Sequence, residues 1–365
     1  MNKTCLIYNF AQHYRENIFR LLDQELSVDF VFGDKYLDVK KMDYSSLSNF
    51  KKEVKNIKLI GHLTFQMGVI KLLRLEYKVF IILGDLHSIS TWLLLVFAKF
   101  TRKDIYLWSH GFYGRESILK KVIKRCFFGL ASGTFLYGNY ARELMIKAGL
   151  DKKKLHVIYN SLNYDVQLPI REKLVLNDIY YTHFNNSYKN LIFVGRLTAE
   201  KKLEFILEAL SILRSQGYFL NITFVGSGTQ IKKLSMLSGQ LALNESVWFF
   251  GPCYDEEMLA QLIYNADLCV SPGNVGLTAI HSMMYGTPVL THSQFSMQGP
   301  EVEAIEKERT GYFFKNNDLN SLVESIKDWF GLCIDREIIR KNCFQIIDEK
   351  YNPHKQLEVF KKVLC

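Results

Sequence analysis

Residues 271–303, SPGNVGLTAIHSMMYGTPVLTHSQFSMQGPEVE, read as a strand end, a glycine turn, a short helix over 276–285 and a second strand over 288–291. The stretch just before, ADLCVSP at 266–272, is a short apolar run that suits a buried strand halted by Pro272. In an open parallel sheet, small molecules dock in the crevice beyond the strand ends. A helix that starts there presents unbonded N–H groups to a phosphate, so Gly276 and Leu277 are candidate ligand contacts.

Working outward, strands and helices alternate as they do in parallel sheets. A first run predicts strands at 4–8, 28–32, 79–82, 105–108, 133–137 and 155–158, with helices at 15–25, 65–77, 89–100, 116–129 and 139–148. A second predicts strands at 190–194, 221–225, 247–250, 268–270 and 288–291, with helices near 201–216, 229–242, 255–265, 276–285 and 318–330. The segment 164–189 has few periodic apolar positions and suits a join. The reading is an α/β chain of two doubly wound parallel-sheet domains, 1–170 and 185–350, facing an interdomain cleft. A C-terminal helix over 351–365, started by Pro353 after an Asn352 cap, would pack back toward the first domain.

Composition narrows the class. With 365 residues, 48% of them hydrophobic, the chain can bury two cores, and six prolines with no low-complexity tract leave little room for disorder. Seven scattered cysteines without a CxxC pair suit a reducing cytosol. The N-terminus has no signal-peptide pattern, and no apolar run approaches the ~20 residues of a membrane span. Cytoplasmic residence follows, with peripheral attachment to the inner face of the cell membrane allowed. Residues 1–165 carry 26 Lys and Arg against 15 Asp and Glu, whereas residues 166–365 carry 20 against 22. The clusters at 51–55 and 120–128 mix cations with apolar residues, which suits either an anionic membrane surface or a solvated helix face. No nucleic-acid-binding signature accompanies the charge.

NLIFVGRL at 190–197 with Glu200-Lys201-Lys202, FVGSGT at 224–229, NADLCVSP at 265–272 and GLTAIHSMMYGTPV at 276–289 together resemble the donor domain of the family-4 (group 1) glycosyltransferases, which have the GT-B fold of two Rossmann-like domains. The likeness covers about 190–315. Ser109-His110-Gly111 and Asn160-Ser161 fall where that family has a sugar-facing histidine and a turn before the second domain. The resemblance implies that Arg196 and Lys201 grip a nucleotide diphosphate, that His110 faces the transferred sugar, and that catalysis is retaining. The family's two glutamates, one toward the donor sugar and one toward the ribose, are replaced here by Gly273 and His281.

The residues allow the same chemistry to be rebuilt. A departing diphosphate needs a metal or fixed cations, and the absence of an Asp-x-Asp pair points to cations, with no metal or other cofactor. Arg196, after a strand, and Lys201, at a helix start, suit that role; a surface ion pair is the alternative. Gly195, Gly226 and Gly228 follow strands and admit close backbone approach by a ligand, or serve only tight packing. Gly273, Asn274, Gly276 and Leu277 form the turn in the opening stretch and are donor-binding candidates. His281 could bond a ribose hydroxyl or be a structural helix residue. Glu301 and Glu303 could replace the missing acids if the segment is extended, which puts both on one face, or be solvated loop acids. On the acceptor side, Asn9, His13, Tyr14 and Arg15 follow the first strand and His87 follows a later one; His292 closes a donor-domain strand and is a candidate for the cleft wall.

The combined expectation is a metal-independent glycosyltransferase that moves a sugar from a nucleotide-diphosphate donor to a hydroxyl acceptor. The favoured acceptor is a lipid-linked or other saccharide of a bacterial surface polysaccharide, a capsule or lipopolysaccharide. A sugar-nucleotide epimerase of the same fold, a non-catalytic partner subunit and a glycogen-synthase-like polymerase are the rivals.

Overall fold

The computed structural model describes residues 3–35 and 40–365. The chain divides into two compact units, Met1–Tyr164 with Lys350–Cys365, and Asp165–Glu349.

In chain order the first unit holds β1 (Thr4–Tyr8), α1 (Glu16–Leu26), β2 (Asp29–Gly33), β3 (Phe50–Val54), β4 (Asn56–Lys58), β5 (Thr64–Gln66), β6 (Val79–Leu83), α2 (Ile89–Thr101), β7 (Asp104–Ser109), α3 (Ile118–Gly129), β8 (Gly133–Leu136), α4 (Asn139–Lys147) and β9 (Leu155–Val157). Seven strands form a parallel sheet in the order β3-β2-β1-β6-β7-β8-β9, and β4 and β5 pair as a separate antiparallel hairpin. The order reverses between β1 and β6, so the crevice beyond their carboxyl ends is the expected ligand position.

Five-residue apolar strands such as Cys5-Leu6-Ile7 and Phe80-Ile81-Ile82 are buried on both sides, as strands covered by helices on two faces must be. On one face α1 buries Ile18, Phe19, Leu22 and Leu26, an amphipathic stripe at helical spacing. On the other, Leu94, Leu95 and Ala98 of α2 pack with Phe127 and Phe128 of α3 and Met145 of α4.

The second unit holds α5 (Tyr164–Glu172, which crosses the boundary), α6 (Ile179–Phe184), β10 (Lys189–Val194), α7 (Glu204–Ser215), β11 (Leu220–Val225), α8 (Ile231–Gln240), β12 (Val247–Gly251), α9 (Glu256–Asn265), β13 (Leu268–Ser271), α10 (Thr278–Met284), β14 (Val289–His292), β15 (Gly311–Phe314), α11 (Leu319–Gly331) and α12 (Arg336–Glu349). Its six strands are parallel in the order β12-β11-β10-β13-β14-β15, reversing between β10 and β13.

The chain then returns to the first unit as α13 (Pro353–Leu364). Asn352 caps it by accepting from the Lys355 N–H at 3.0 Å. Phe360 lies fully buried with its ring 5.2 Å from Trp108 and 4.4 Å from Phe135, so its truncation costs about 3–5 kcal/mol. Gln356 donates to Tyr159 O at 2.8 Å and accepts from the Ser161 hydroxyl at 2.7 Å, so the Asn160-Ser161 turn anchors this helix.

Several elements differ from the sequence expectation. Residues 65–77 do not form a helix: Gly68 takes a positive φ of 78°, β5 ends at Gln66, and only a 3-10 turn follows over Ile70–Arg74. The basic stretch at 51–55 lies largely in β3, an edge strand whose Lys51 pairs with Asp29 at 3.1 Å; charged edges block further strand pairing. The 164–189 join contains α5 and α6, and β15 and α12 went unpredicted.

Candidate functional site

In the second unit, three loops meet at the reversal point. The loop after β10 rests on the loop after β11: Leu197 N–H donates to Ser227 O at 2.9 Å, and Gln230 N–H donates to Leu197 O at 2.9 Å. A side chain at Gly226 would put its Cβ 1.9 Å from Gly195 O, and one at Gly228 would put it 2.3 Å from Leu197 O. These glycines, with Gly195, therefore serve backbone-on-backbone packing.

The loop after β13 is bound just as closely. Gly273 N–H donates to Lys201 O at 3.0 Å, and Lys201 Nζ donates to Asn274 O. A Cβ at Gly273 would lie 2.0 Å from Glu200 O. The position where the family has its donor-sugar glutamate thus has no room for any side chain. Buried Gln298 fastens the loop from the far side, accepting from Val275 N–H at 2.8 Å and donating to Thr291 Oγ1 at 2.9 Å. Thr278, first residue of α10, donates to Val194 O at 2.9 Å and ties the helix start to β10. The helix is shorter than the sequence suggested, with Gly276 (φ 54°) and Leu277 in the turn before it.

Two cations occupy this framework. Arg196 is exposed and, among the described residues, has no ion-pair partner. Burial and then the neighbouring Arg196 charge lower the pKa of Lys201, while Glu200 and Glu301 oppose that shift. An anion between the two cations would remove their mutual repulsion. Glu301 is buried with its Oε2 close to Gly299, beside Asn274, whose Oδ1 accepts from Gly299 N–H at 3.1 Å. The segment is a 3-10 turn over Pro300–Ala304 rather than extended, so Glu301 and Glu303 do not share a face. Glu301 is brought close enough to Lys201 for its charge to act there.

His281 has a different partner. Its Nε2 lies 2.8 Å from Glu256 Oε1, which also accepts from Tyr285 at 2.7 Å and Gln167 at 2.8 Å. Burial pushes the Glu256 carboxyl up, but these bonds hold it at about 2. The nitrogen expected for a ribose hydroxyl is thus held by a carboxylate at the start of α9. His292 is buried rather than lining a surface; burial, then Lys202, lower its pKa to about 4.

In the first unit, the loop after β1 carries Asn9, His13, Tyr14 and Arg15. Arg15 is buried, donates through Nη2 to the Tyr137 hydroxyl, and lies 5.1–5.9 Å from the ring centres of Trp108, Tyr137, Tyr8 and Tyr14. His110, at the end of β7, sits 4.7 Å from the Tyr137 ring. One edge of His110 is open to solvent, yet crowding around it, then the charges of Arg15 and Lys124, lower its pKa to about 4. It is a neutral imidazole at pH 7, fit to exchange hydrogen bonds but not to act as a cationic acid. His13 and His87 are exposed and bonded locally, His13 Nδ1 to Lys40 O at 3.3 Å and His87 N–H to Asp85 Oδ1 at 2.9 Å. Arg15, Tyr14 and His110 are brought together, whereas His87 follows β6 on the other side of the strand-order reversal.

The 120–128 cluster divides. Lys124 is buried, donating to Glu116 Oε1 at 2.7 Å and Gly111 O at 2.8 Å, and so braces the His110 loop. Lys120, Lys121 and Arg125 remain exposed beside Ile118, Leu119, Val122 and Ile123. No helix among the described residues is long and apolar enough to cross a membrane, and no group of three or more His, Cys, Asp or Glu gathers there as a metal site.

Comparison with known proteins places this geometry. Residues 181–345 match the family described as Glycosyl transferases group 1. The second unit belongs to this family. Among curated relatives, an uncharacterized glycosyltransferase of Methanocaldococcus jannaschii is 29% identical over 209 residues, 54% of this chain and 50% of that protein. An uncharacterized 41.2 kDa protein in the cps region of Klebsiella pneumoniae is 26% identical over 188 residues, 51% of this chain and 48% of that protein. The chain therefore spans about half the length of these curated relatives. Among solved structures, Anabaena HepE in complex with UDP superposes with a TM-score of 0.73 at 16% identity, covering 99% of each chain. The apo form of the lipopolysaccharide outer core galactosyltransferase WaaB does so with 0.73, 16% and 99% of each. The fold is GT-B.

Seen as a group 1 glycosyltransferase domain, the second unit has supports that motif reading missed. Gln298 and Thr278 give no local signal, because their partners lie in distant loops. Tyr8, Trp108 and Tyr137 of the first unit end strands at the crevice, and that position was the available signal.

Proposed function

We propose that the chain transfers a sugar from a nucleotide-diphosphate donor, held at the reversal point of the second unit, to a hydroxyl acceptor held by the first. The observation that carries this reading is the pair Arg196 and Lys201, the one without an acid partner and the other partly desolvated, both in the loop after β10, with Lys201 bonded to the loop after β13. An arginine can fork across two phosphate oxygens while the lysine adds a point charge, and both stabilise negative charge as the sugar bond breaks. His110, neutral at pH 7, would hydrogen-bond a sugar hydroxyl or the leaving oxygen. The reaction would be retaining and independent of metal, with fixed cations in the place of a metal ion.

UDP-sugars are the first donors to test, since HepE has been solved with UDP-glucose. The favoured acceptor is a lipid-linked oligosaccharide of a surface polysaccharide, made at the cytoplasmic face of the membrane. The cps-region relative and WaaB support that pathway, and the first half of α3 supports the location. There Ile118 is 84% and Leu119 69% exposed beside Lys120 and Lys121, a mixture suited to anionic lipid.

The test is a transfer assay in EDTA with UDP- and GDP-sugars and saccharide or lipid-linked acceptors. Acceptor-dependent release of the nucleoside diphosphate is expected. Donor conversion without acceptor would favour an epimerase, and no donor use by the pure chain a partner subunit. Flotation with anionic vesicles should weaken when Lys120, Lys121 and Arg125 are neutralised; indifference to lipid charge would refute the docking.

A further inference from the structure

At the reversal point of the first unit, Arg15 is a cation that its surroundings leave incompletely satisfied. It is 9% exposed, and among the described residues no carboxylate pairs with it. Its one side-chain hydrogen bond runs from Nη2 to Tyr137, whose hydroxyl lies 3.2 Å from that of Tyr8. Its Nε is buried without any partner. The aromatic faces around it attract the charge but offer no lone pair to the N–H groups, of which a guanidinium has five.

Other unsatisfied atoms concentrate in the same place. Eleven buried side-chain nitrogen and oxygen atoms lack a partner among the described residues, and four belong to Asn9, Gln12, Arg15 and Asn17. A fifth is Nε1 of Trp108, the ring beside Arg15. Buried polar atoms are otherwise nearly always bonded, so this concentration marks a place completed by something else. Crevices at a strand-order reversal are where such ligands sit.

We propose that Arg15 binds an oxyanion, a phosphate or carboxylate group of a substrate, in the crevice beyond the carboxyl ends of β1 and β6. A tetrahedral or planar oxyanion accepts two parallel N–H bonds from the guanidinium, and the neutral His110, its ring 4.7 Å from that of Tyr137, adds a hydrogen bond without a competing charge. This rests on the transferase reading for the identity of the ligand: the oxyanion belongs either to a charged acceptor or to the donor's diphosphate.

Thermal unfolding and titration calorimetry with inorganic phosphate, at ionic strength held constant with chloride, test it in the full chain. The double variant Arg196→Ala/Lys201→Ala removes the second-unit cations, so any phosphate effect left belongs elsewhere. Phosphate should raise the Tm saturably in that variant. Adding Arg15→Lys should weaken phosphate binding about tenfold, and Arg15→Met should abolish it while leaving Tm in phosphate-free buffer unchanged or higher. A phosphate effect that persists in Arg15→Met, or is absent from the double variant, would overturn the proposal, as would a lowered phosphate-free Tm in both Arg15 variants, which marks a structural clamp. UDP then separates the sources. A Kd for UDP raised tenfold or more by Arg15→Lys assigns the oxyanion to the donor, whereas an unchanged Kd assigns it to the acceptor. Because the phosphate arm needs neither donor nor turnover, its failure is distinct from failure of the transferase reading.

Discussion

Each unit reverses its strand order once, between β1 and β6 in the first and between β10 and β13 in the second, but the loops leaving these strands are held differently. In the second unit, backbone meets backbone through glycines, and Gln298, Thr278 and Lys201 bond the loops to one another. In the first, the loop after β1 carries three buried polar side-chain atoms with no partner among the described residues and the start of α1 a fourth, against the single Ser271 Oγ at the end of β13. A crevice whose framework is already bonded can present cations to a ligand common to a whole family. One with unsatisfied groups depends on its ligand to complete it, as suits a site for a more variable substrate. Under the proposed function these are the donor and acceptor sides.

The largest effect that sharpens this contrast is expected in the first unit. Glu116→Gln leaves Lys124 buried without its carboxylate, which costs about 3–5 kcal/mol in denaturant unfolding. Because Lys124 also holds Gly111 O, the substitution should lower kcat through the His110 loop as well. Unchanged stability would mean that the His110 loop is braced by something other than this pair.

Next comes Gly273. Restoring the family's acid as Gly273→Glu should destabilise by about 1–3 kcal/mol or more and lower donor affinity, because the new Cβ would meet Glu200 O. A variant with native stability and raised activity would show that this loop is not held as tightly as its contacts indicate.

The Glu256 cluster gives a moderate effect. His281→Ala removes one bond to a half-buried carboxylate, for about 1–2 kcal/mol of stability, with little change in donor Kd. The ordinary carboxyl value is 4.5 and the folded value about 2, so the folded state favours the ionised form. This stabilisation is complete above 4.5 and is lost as pH falls toward 2. Acid unfolding of Glu256→Gln should lack that component. A large loss of donor affinity in His281→Ala would instead return the residue to the ribose role.

The smallest effect is in the pH profile. With a folded pKa near 4 against an ordinary 6.5, His110 binds its proton more readily when unfolded, so its contribution lowers stability as pH drops from 6.5 to 4 and is flat above. Activity should show no His110-dependent inflection near 6.5, checked by comparing wild type with His110→Gln.

Much of this architecture was legible in the sequence, because strands buried on both faces are short apolar runs between amphipathic helices. The edge strand β3 was not: Lys51, Lys52 and Glu53 hide its alternation, and its charges read as a surface patch. The family motifs drew attention to Arg196 and Lys201, which the structure holds in one loop within electrostatic reach of each other. What a local pattern could not give is contact between distant segments. Gly273 read as a lost acid until Glu200 O was found in its place, and the carboxylate on His281 comes from 25 positions upstream. Arg15 was legible as a residue type after the first strand, whereas its enclosure by Tyr8, Trp108 and Tyr137 depends on three strands.

The central claim is that Arg196 and Lys201 form a metal-free grip for a nucleotide diphosphate. Its most direct test is calorimetric binding of a panel of UDP- and GDP-sugars in EDTA to wild type, Arg196→Ala and Lys201→Ala. The account predicts saturable binding of at least one donor, weakened about 10²–10³-fold in each variant, or about 3–4 kcal/mol. Binding that needs a divalent metal, or that survives both substitutions, would contradict it.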